Sequence, residues 1–461
     1  MSSLNRFVTL GEISDRIGDG LHGTPEYSEN GEYFFINGNN LIDGEIILNE
    51  KTKSCSKSEY DKYKKNLSNN TILMSINGTI GNLAFYNGEK IILGKSASYI
   101  NLKSDVDKNF IYYELKSSKF QNYIKSQATG STIKNVSLKL LRDYILELPD
   151  ICQQKRISRI LSDLDGKIRL NNQINQTLES IAQAIFKSWF IDFEPVRAKI
   201  AAKQEGKDPE FAAMCAISGK DEAELEQMEK EDFAELQAMA ALFPDKLVES
   251  ELGEVPKGWE VNSLGNICNF TPGSAFKPEY QGQTQGEIPF IKVSDMNLNG
   301  NESFIVKANN YIDNSLQKER KFKLHEEGAT VFAKIGVALI SNRRRLLTMP
   351  TIIDNNMMSA SPVKALSTPY YLYLLLKTID FNTLVSGTAL PYLNVSDLRK
   401  ISIVHPTINL LNKFELMANP LLQKIKLNSV QCEGMVTLRD NLLPKLLSGE
   451  IDASVLNGEH G

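Results

Sequence analysis

The spacing of hydrophobic positions changes from short runs to a helical repeat, and it does so twice along the chain. Over the first 150 residues, brief apolar runs stand at 33–36, 71–76, 83–86 and 98–102, with Asn37-Gly38, Asn77-Gly78 and Asn87-Gly88 after three of them. Runs this short, bounded by Asn-Gly, predict strands closed by tight turns. A helical pattern follows over 110–126, carried by Ile111, Leu115, Phe120 and Ile124. Together these predict a mixed α+β domain over 1–150.

From 151 to 190 alternating steps of four and three pick out a mainly apolar seam: Ile157, Leu161, Leu164, Ile168, Asn171, Asn175, Leu178, Ala182, Ile185 and Trp189. That spacing is a heptad seam. Pro149 ends the preceding strand and Pro195 blocks further helix. At about 1.5 Å per residue, about 38 residues of such a helix span roughly 57 Å.

The second half repeats this plan. Leu10-Gly11-Glu12-Ile13 returns as Leu264-Gly265-Asn266-Ile267, 254 residues on. Gly130-Ser131 opens a segment that returns at Gly387-Thr388, and 167–171 returns at 424–428, both 257 residues on. The seam reappears at Phe414, Ala418, Leu421, Ile425, Asn428, Cys432, Met435, Arg439, Leu442 and Leu446. Nearly constant offsets over this distance mean one duplicated domain; a solenoid has a far shorter period. Both seams lack another partner, so the two helices are expected to pair, with their asparagines fixing register at some cost in stability. The expected divisions are 1–150, a long helix over 151–195, an acidic helical segment and linker over 196–258, a second domain over 259–406, and a second long helix with its tail over 407–461.

Charge alters this picture only locally. The chain has 52 Lys and Arg against 56 Asp and Glu, a net −4. Residues 205–254 hold 15 of those acids and 4 of the bases, which leaves 48 bases against 41 acids elsewhere. Global charge is therefore a poor guide to phosphate binding. The acidic stretch reads as a solvated surface, with a docking surface as the alternative, and carries a helix over 221–243. Five dispersed cysteines and four histidines, none at ligand spacing, argue against disulfide or metal frameworks. No apolar run is long enough to span a membrane, and the N-terminus lacks the pattern of a signal peptide. A cytoplasmic protein with no membrane partner is the expectation.

Three stretches imitate catalytic motifs. Gly18, Gly20 and Gly23 spell a dinucleotide fingerprint, but Pro25 disfavours the helix that must follow. Gly88 through Ser96 has one residue too many for a phosphate loop. Pro149-Asp150 and Asp165-Gly166-Lys167 resemble a nuclease pattern. On one helix, however, the two aspartates stand roughly 22 Å apart and cannot share a metal.

The duplicated domain, the Pro149–Gln153 opening of the first helix, the stretch FKSWFIDFEPVRAK at 186–199, and ALFPD with SELGEVPKGW at 241–259 together resemble the specificity subunits of type I restriction-modification systems, over essentially the whole chain. The 200–240 segment departs from that pattern, being longer and more acidic. The resemblance implies an α+β protein of two tandem target-recognition domains separated by two long helices that pair as an antiparallel coiled coil. It implies double-stranded DNA as ligand, each domain reading half of a bipartite asymmetric site. It implies two methyltransferase subunits and restriction-translocase subunits as partners. S-adenosylmethionine, ATP and magnesium would be theirs, and this chain would bind no cofactor and catalyse nothing. Two alternatives are a stand-alone enzyme that modifies or cleaves DNA and a duplicated protein-binding scaffold.

Local charge and turns mark the candidates for DNA contact. In the second copy they are Lys292, Lys334, Asn342, Arg343, Arg344 and Arg345; in the first, Asn39, Asn40, Asn77, Thr79, Lys95, Ser96 and Lys134. Arginine pairs with guanine or phosphate and asparagine with adenine. Three successive arginines cannot all face one groove from a strand. The loops opening at Gly130 and Gly387 occur in both copies, which suits a shared structural or phosphate role.

Overall fold

The computed structural model describes residues 6–130, 134–387 and 391–453. It divides into two compact units: residues 1–167 with 435–461, and residues 168–434. Two helices of 40 residues, Ile151–Phe190 and Ile408–Leu447, each contribute to both units.

In the first unit, a four-stranded antiparallel sheet runs in the order Ser14–Asp19, Ala97–Leu102, Thr71–Ser75, Leu83–Phe85. A smaller sheet places Tyr33–Ile36 between Ser54–Cys55 and Ile91–Leu93. Arg6–Thr9 pairs with Ile145–Leu148, tying the start of the domain to its end. The expected strands are present within a residue or so at each end. The helix expected over 110–126 is instead two, Lys108–Lys116 and Ser118–Gln127. Ser117 breaks it: its backbone is extended and its side chain caps the second helix by accepting from the Phe120 amide.

The second unit repeats the plan. A five-stranded sheet runs Cys268–Pro272, Met357–Pro362, Thr330–Ala333, Arg345–Leu347, Phe304–Ile305. A smaller sheet places Ile288–Ile291 between Tyr311–Ile312 and Ile352–Ile353. Glu260–Ser263 closes against Ser402–His405, as Arg6–Thr9 does against Ile145–Leu148. The acidic segment forms four helices, Glu194–Gln204, Pro209–Ser218, Glu222–Glu226 and Lys230–Ala240, where one was expected over 221–243. Acids crowd 222–232 at closely spaced positions, and like charges one turn apart weaken a helix. The segment is not merely a solvated surface. Met214, Ile217, Leu225, Leu236, Met239 and Phe243 enter the core built on Trp189, Phe190 and Phe414.

The two long helices pair along the expected seam, and their indices run in opposite directions, so the pairing is antiparallel. In the second unit the Asn171 amide donates to Gln431 at 2.9 Å, Asn428 to Asn175 at 2.9 Å, and Trp189 lies edge-on to Phe414. The partner of Asn428 is therefore Asn175, one turn beyond Asn171. Leu178, Ile185, Leu421 and Ile425 pack in that core. In the first unit Ile157 and Leu161 are buried with Leu443 and Leu446, and Leu442 packs against them. Leu164, Ile168 and Met435, also on the expected seam, are half-buried. Pro420 and Pro444 lie inside the second helix on exposed positions, where water can satisfy the carbonyls they leave unpaired.

The first helix also gives each unit one carboxylate held in a polar cluster, buried at Asp165 and half-buried at Glu179. Asp165 accepts from Arg439 at 2.6 Å and Tyr113 at 2.9 Å, with Lys116 at 3.6 Å. Glu179 accepts from Tyr373 at 2.8 Å and Ser303 at 3.0 Å, and pairs with Lys377. Burial alone would raise the Asp165 carboxyl, but Lys116, Arg439 and Tyr113 outweigh it and hold the group below its ordinary value.

Replacing Arg439 with alanine leaves the Asp165 carboxylate only Tyr113 and Lys116, and stability at neutral pH should fall by about 3 kcal/mol in denaturant titration. The paired Asp165 contributes fully above about pH 4 and loses its contribution as pH falls through the lower folded value, so the gap between native protein and R439A should narrow on acidification.

Candidate nucleic-acid interface

In each recognition domain, loops meet through two matched backbone hydrogen bonds, to which the first copy adds side-chain contacts of its own. In the first, the Gly38 amide donates to Ser96 Oγ at 3.0 Å, and Ser96 Oγ donates to Asn37 Oδ1 at 2.8 Å. The Ile76 amide donates to the Ser96 carbonyl at 2.9 Å, and the Gly78 amide to Lys134 at 3.2 Å. In the second, the Lys334 amide donates to Asn356 at 2.8 Å and the Gly336 amide to Pro391 at 2.7 Å. The 3-10 turns that open the first loop match as well. The Asn37 amide donates to the Asn40 side chain at 2.9 Å, and the Lys292 amide to Asp295 at 2.7 Å.

Two glycines explain the close approach of strand to loop. A Cβ on Gly20 would stand 2.3 Å from the Leu93 and Gly94 carbonyl oxygens, and one on Gly273 2.0 Å from the Asp354 oxygen. Gly20 thus serves packing, as does Gly18, whose Cβ would meet the Tyr99 ring. The other two imitations of catalytic motifs are also built into the fold. Ile91–Leu93 is a strand where a phosphate loop would have to wrap, and Asp150 and Asp165 lie at the start and middle of one helical path, Asp165 bound to Arg439. Among the described residues no three His, Cys, Asp or Glu side chains gather as a metal site.

The first-copy candidates divide by exposure. Asn39, Thr79, Lys95 and Lys134 are exposed, and Asn77 is half-exposed in a bridge with Asn135. Asn40, 7% exposed, is an internal brace: its amide donates to the Ile47 carbonyl at 2.9 Å while its oxygen receives the Asn37 amide. Ser96 holds Gly38 to Asn37. These two side chains are spent on the loop scaffold, so the assignment of Asn40 and Ser96 to DNA contact is corrected.

The second copy needs a larger correction. Arg344 is 2% exposed, donates to the carbonyls of Asn342 and Ile379, and stacks 3.6 Å over the Phe381 ring. Burial pushes its guanidinium down to about 10. Arg345 is half-buried and donates to the Arg344 and Met296 carbonyls. Asn342 sits at φ +55°, a conformation asparagine tolerates, and accepts from the Phe381 amide at 3.0 Å. Arg344, Arg345 and Asn342 therefore hold the loop from within, and Arg343 alone of the triplet is exposed. Lys334 is half-exposed at the start of the same loop. Lys292 is half-exposed too, donating to Gln281 at 2.9 Å above the Phe276 ring. Of the two recurrent loops, residues 131–133 and 388–390 lie outside the described residues.

Sequence reasoning passed over Val337, Ile340 and Tyr392, which are 80%, 51% and 48% exposed beside these cations. Apolar residues near strands read as core. The match of Gly78 to Gly336 was the signal that would have marked residues 337–340 as loop.

The chain matches, over residues 4–180 and again over 256–409, the family model described as the type I restriction modification DNA specificity domain. It is 34% identical over 349 residues to the type I restriction enzyme HindI specificity subunit of Haemophilus influenzae, covering 71% of this chain and 73% of that one. It is 28% identical over 433 residues to the MjaIX specificity subunit of Methanocaldococcus jannaschii, covering 93% and 86%. The crystal structure of the type I restriction-modification S subunit from M. genitalium shares the fold at a TM-score of 0.52 and 17% identity, with 96% of each chain covered. The chain belongs to the type I restriction-modification DNA specificity family and carries the family's domain twice. It is a specificity subunit, the component that confers DNA-sequence specificity. Among the described residues no helix is long and apolar enough to cross a membrane.

Arginines 343 and 344 should separate cleanly in experiment. R344A should cost about 2–4 kcal/mol of stability, read as a lowered melting temperature, through lost buried hydrogen bonds and stacking. R343A should leave stability within about 0.5 kcal/mol and lower the salt dependence of DNA binding by about one ion.

Proposed function

We propose that the two recognition domains read the two halves of one bipartite, asymmetric DNA site, and that adenine methylation and cleavage belong to partner subunits. The observation that carries this reading is a common backbone frame with different side chains at matched points. Asn77-Gly78-Thr79 stands where the second copy has Ile335-Gly336-Val337, Lys95 where it has Asn355, and Lys134 where it has Pro391. One frame docks on a duplex in one way, while different base-facing groups select different sequences.

Two methyltransferase subunits and the restriction-translocase subunits are the partners this reading requires, with S-adenosylmethionine, ATP and magnesium bound by them. The chain itself acts without a cofactor. The paired helices set the length of the unread gap. In support, the carboxylate and glycine patterns that imitate catalytic sites are engaged in packing and ion pairs.

Co-expression with the methyltransferase subunit encoded beside it, followed by mapping of methylated adenines in host DNA, should return a two-part motif with a fixed gap. Deleting one seven-residue repeat from each long helix keeps the seam in phase, shortens each by about 10 Å, and should change that gap. Methylation or cleavage by the purified chain alone would overturn the reading.

A further inference from the structure

The loop between Thr330–Ala333 and Arg345–Leu347 differs in kind from its counterpart in the first copy. Leu73 pairs with Ala84 in one domain and Val331 with Arg345 in the other, so the second connection is three residues longer. The extra length is folded into one helical turn, Val337–Ile340. Gly336, at φ +83°, starts that turn as Gly78, at φ +78°, starts the shorter loop.

The turn is fixed from below and at both ends. Leu339 is buried in the domain core. The Gly336 amide is held by Pro391, and Asn382 donates to the Ile340 carbonyl at 3.3 Å. Arg344, stacked on Phe381, closes the far end. This fixed platform turns Val337 and Ile340, one helical turn apart and so on one face, toward solvent. Tyr392, also exposed, is bridged through its backbone to Ile335, two residues before Val337. Single exposed apolar side chains need no explanation, but two held together on one face of a fixed turn mark a binding surface. Lys334 and Arg343, both solvent-accessible, bracket the turn in sequence. Cations around an apolar centre complement a duplex, in which phosphates flank a groove whose one apolar base group is the thymine 5-methyl.

We infer that the Val337–Ile340 turn is a specificity-determining element of the second half-site, with Val337 and Ile340 seated against a thymine methyl in the major groove and Lys334 and Arg343 on flanking phosphates. This rests on the bipartite reading above and adds a chemical identity to one base of one half-site. The matched loop of the first copy, with Asn77 and Thr79, lacks this apolar face.

The test uses the assembled complex of this chain with its methyltransferase subunits, and duplexes of the mapped motif in which each thymine is replaced in turn by deoxyuridine. That change removes only the methyl. At one thymine of one half-site, native complex should bind about four-fold more weakly, the worth of one buried methyl. The doubly substituted V337A/I340A complex should bind both duplexes equally, and its methylation map should relax at that position alone while the other half-site is unchanged. Arg343→Ala should instead weaken binding to all duplexes alike. A bipartite map with no deoxyuridine effect at any thymine, or an effect that persists in V337A/I340A, overturns the inference and leaves the bipartite reading standing. Absence of a two-part motif overturns that reading itself.

Discussion

Each recognition domain is anchored to its stretch of the helix pair by a carboxylate withdrawn from water, fully at Asp165 and partly at Glu179. Asp165 does this in the first unit, among Arg439, Tyr113 and Lys116; Glu179 does it in the second, among Lys377, Tyr373 and Ser303. Both acids come from the same helix. A buried ion survives only with its partners in place, so each cluster tolerates one arrangement of domain on helix and penalises others. Apolar packing alone is less selective, because similar surfaces can slide past one another. The seam asparagines act in the same sense by linking Asn175 to Asn428 and Asn171 to Gln431.

On that base the reading ends of the two domains are built from one scaffold. Glycines at 20 and 273 let a strand approach a neighbouring carbonyl, and matched amide bonds lock the loops together. Much of the polar chemistry at these ends is internal. Asn40 and Ser96 brace the first copy, and Arg344 and Asn342 brace the second. Rigid loops suit sequence reading, since a side chain held in place before binding loses little freedom on meeting a base. The side chains left outside this bracing differ between the copies, which is what unlike half-sites require.

Much of this was legible in the sequence, for physical reasons. Duplication is visible because packing constrains both copies alike, so Leu10 and Leu264 fill equivalent core positions. The long helices are visible because 40 residues of regular period leave little ambiguity, and the start of the first at 151 follows from Pro149. Its end at 190 does not follow from Pro195, which sits in the first turn of the next helix, Glu194–Gln204, after a turn in which Phe193 adopts φ +54°. The α+β character follows from short apolar runs between turn residues. The split at Ser117 was not legible, because a serine within a helical pattern either turns outward or caps a new helix, and only the packing on each side decides.

The sequence by itself therefore determined the doubled domain and the paired helices, which depend on periodicity repeated over many residues, and its motifs at 149–153, 186–199 and 241–259 carried the resemblance to the family. Tertiary structure alone decided which charged and polar groups face outward. Arg343 and Arg344 are neighbours with identical chemistry, yet one is exposed and the other lies beneath the loop against Phe381. Val337 and Leu339 are both apolar, yet one faces solvent and the other the core. The direction of a single side chain depends on a ring or carbonyl brought from elsewhere in the chain, here Phe381 and Ile379, and no local pattern carries that information.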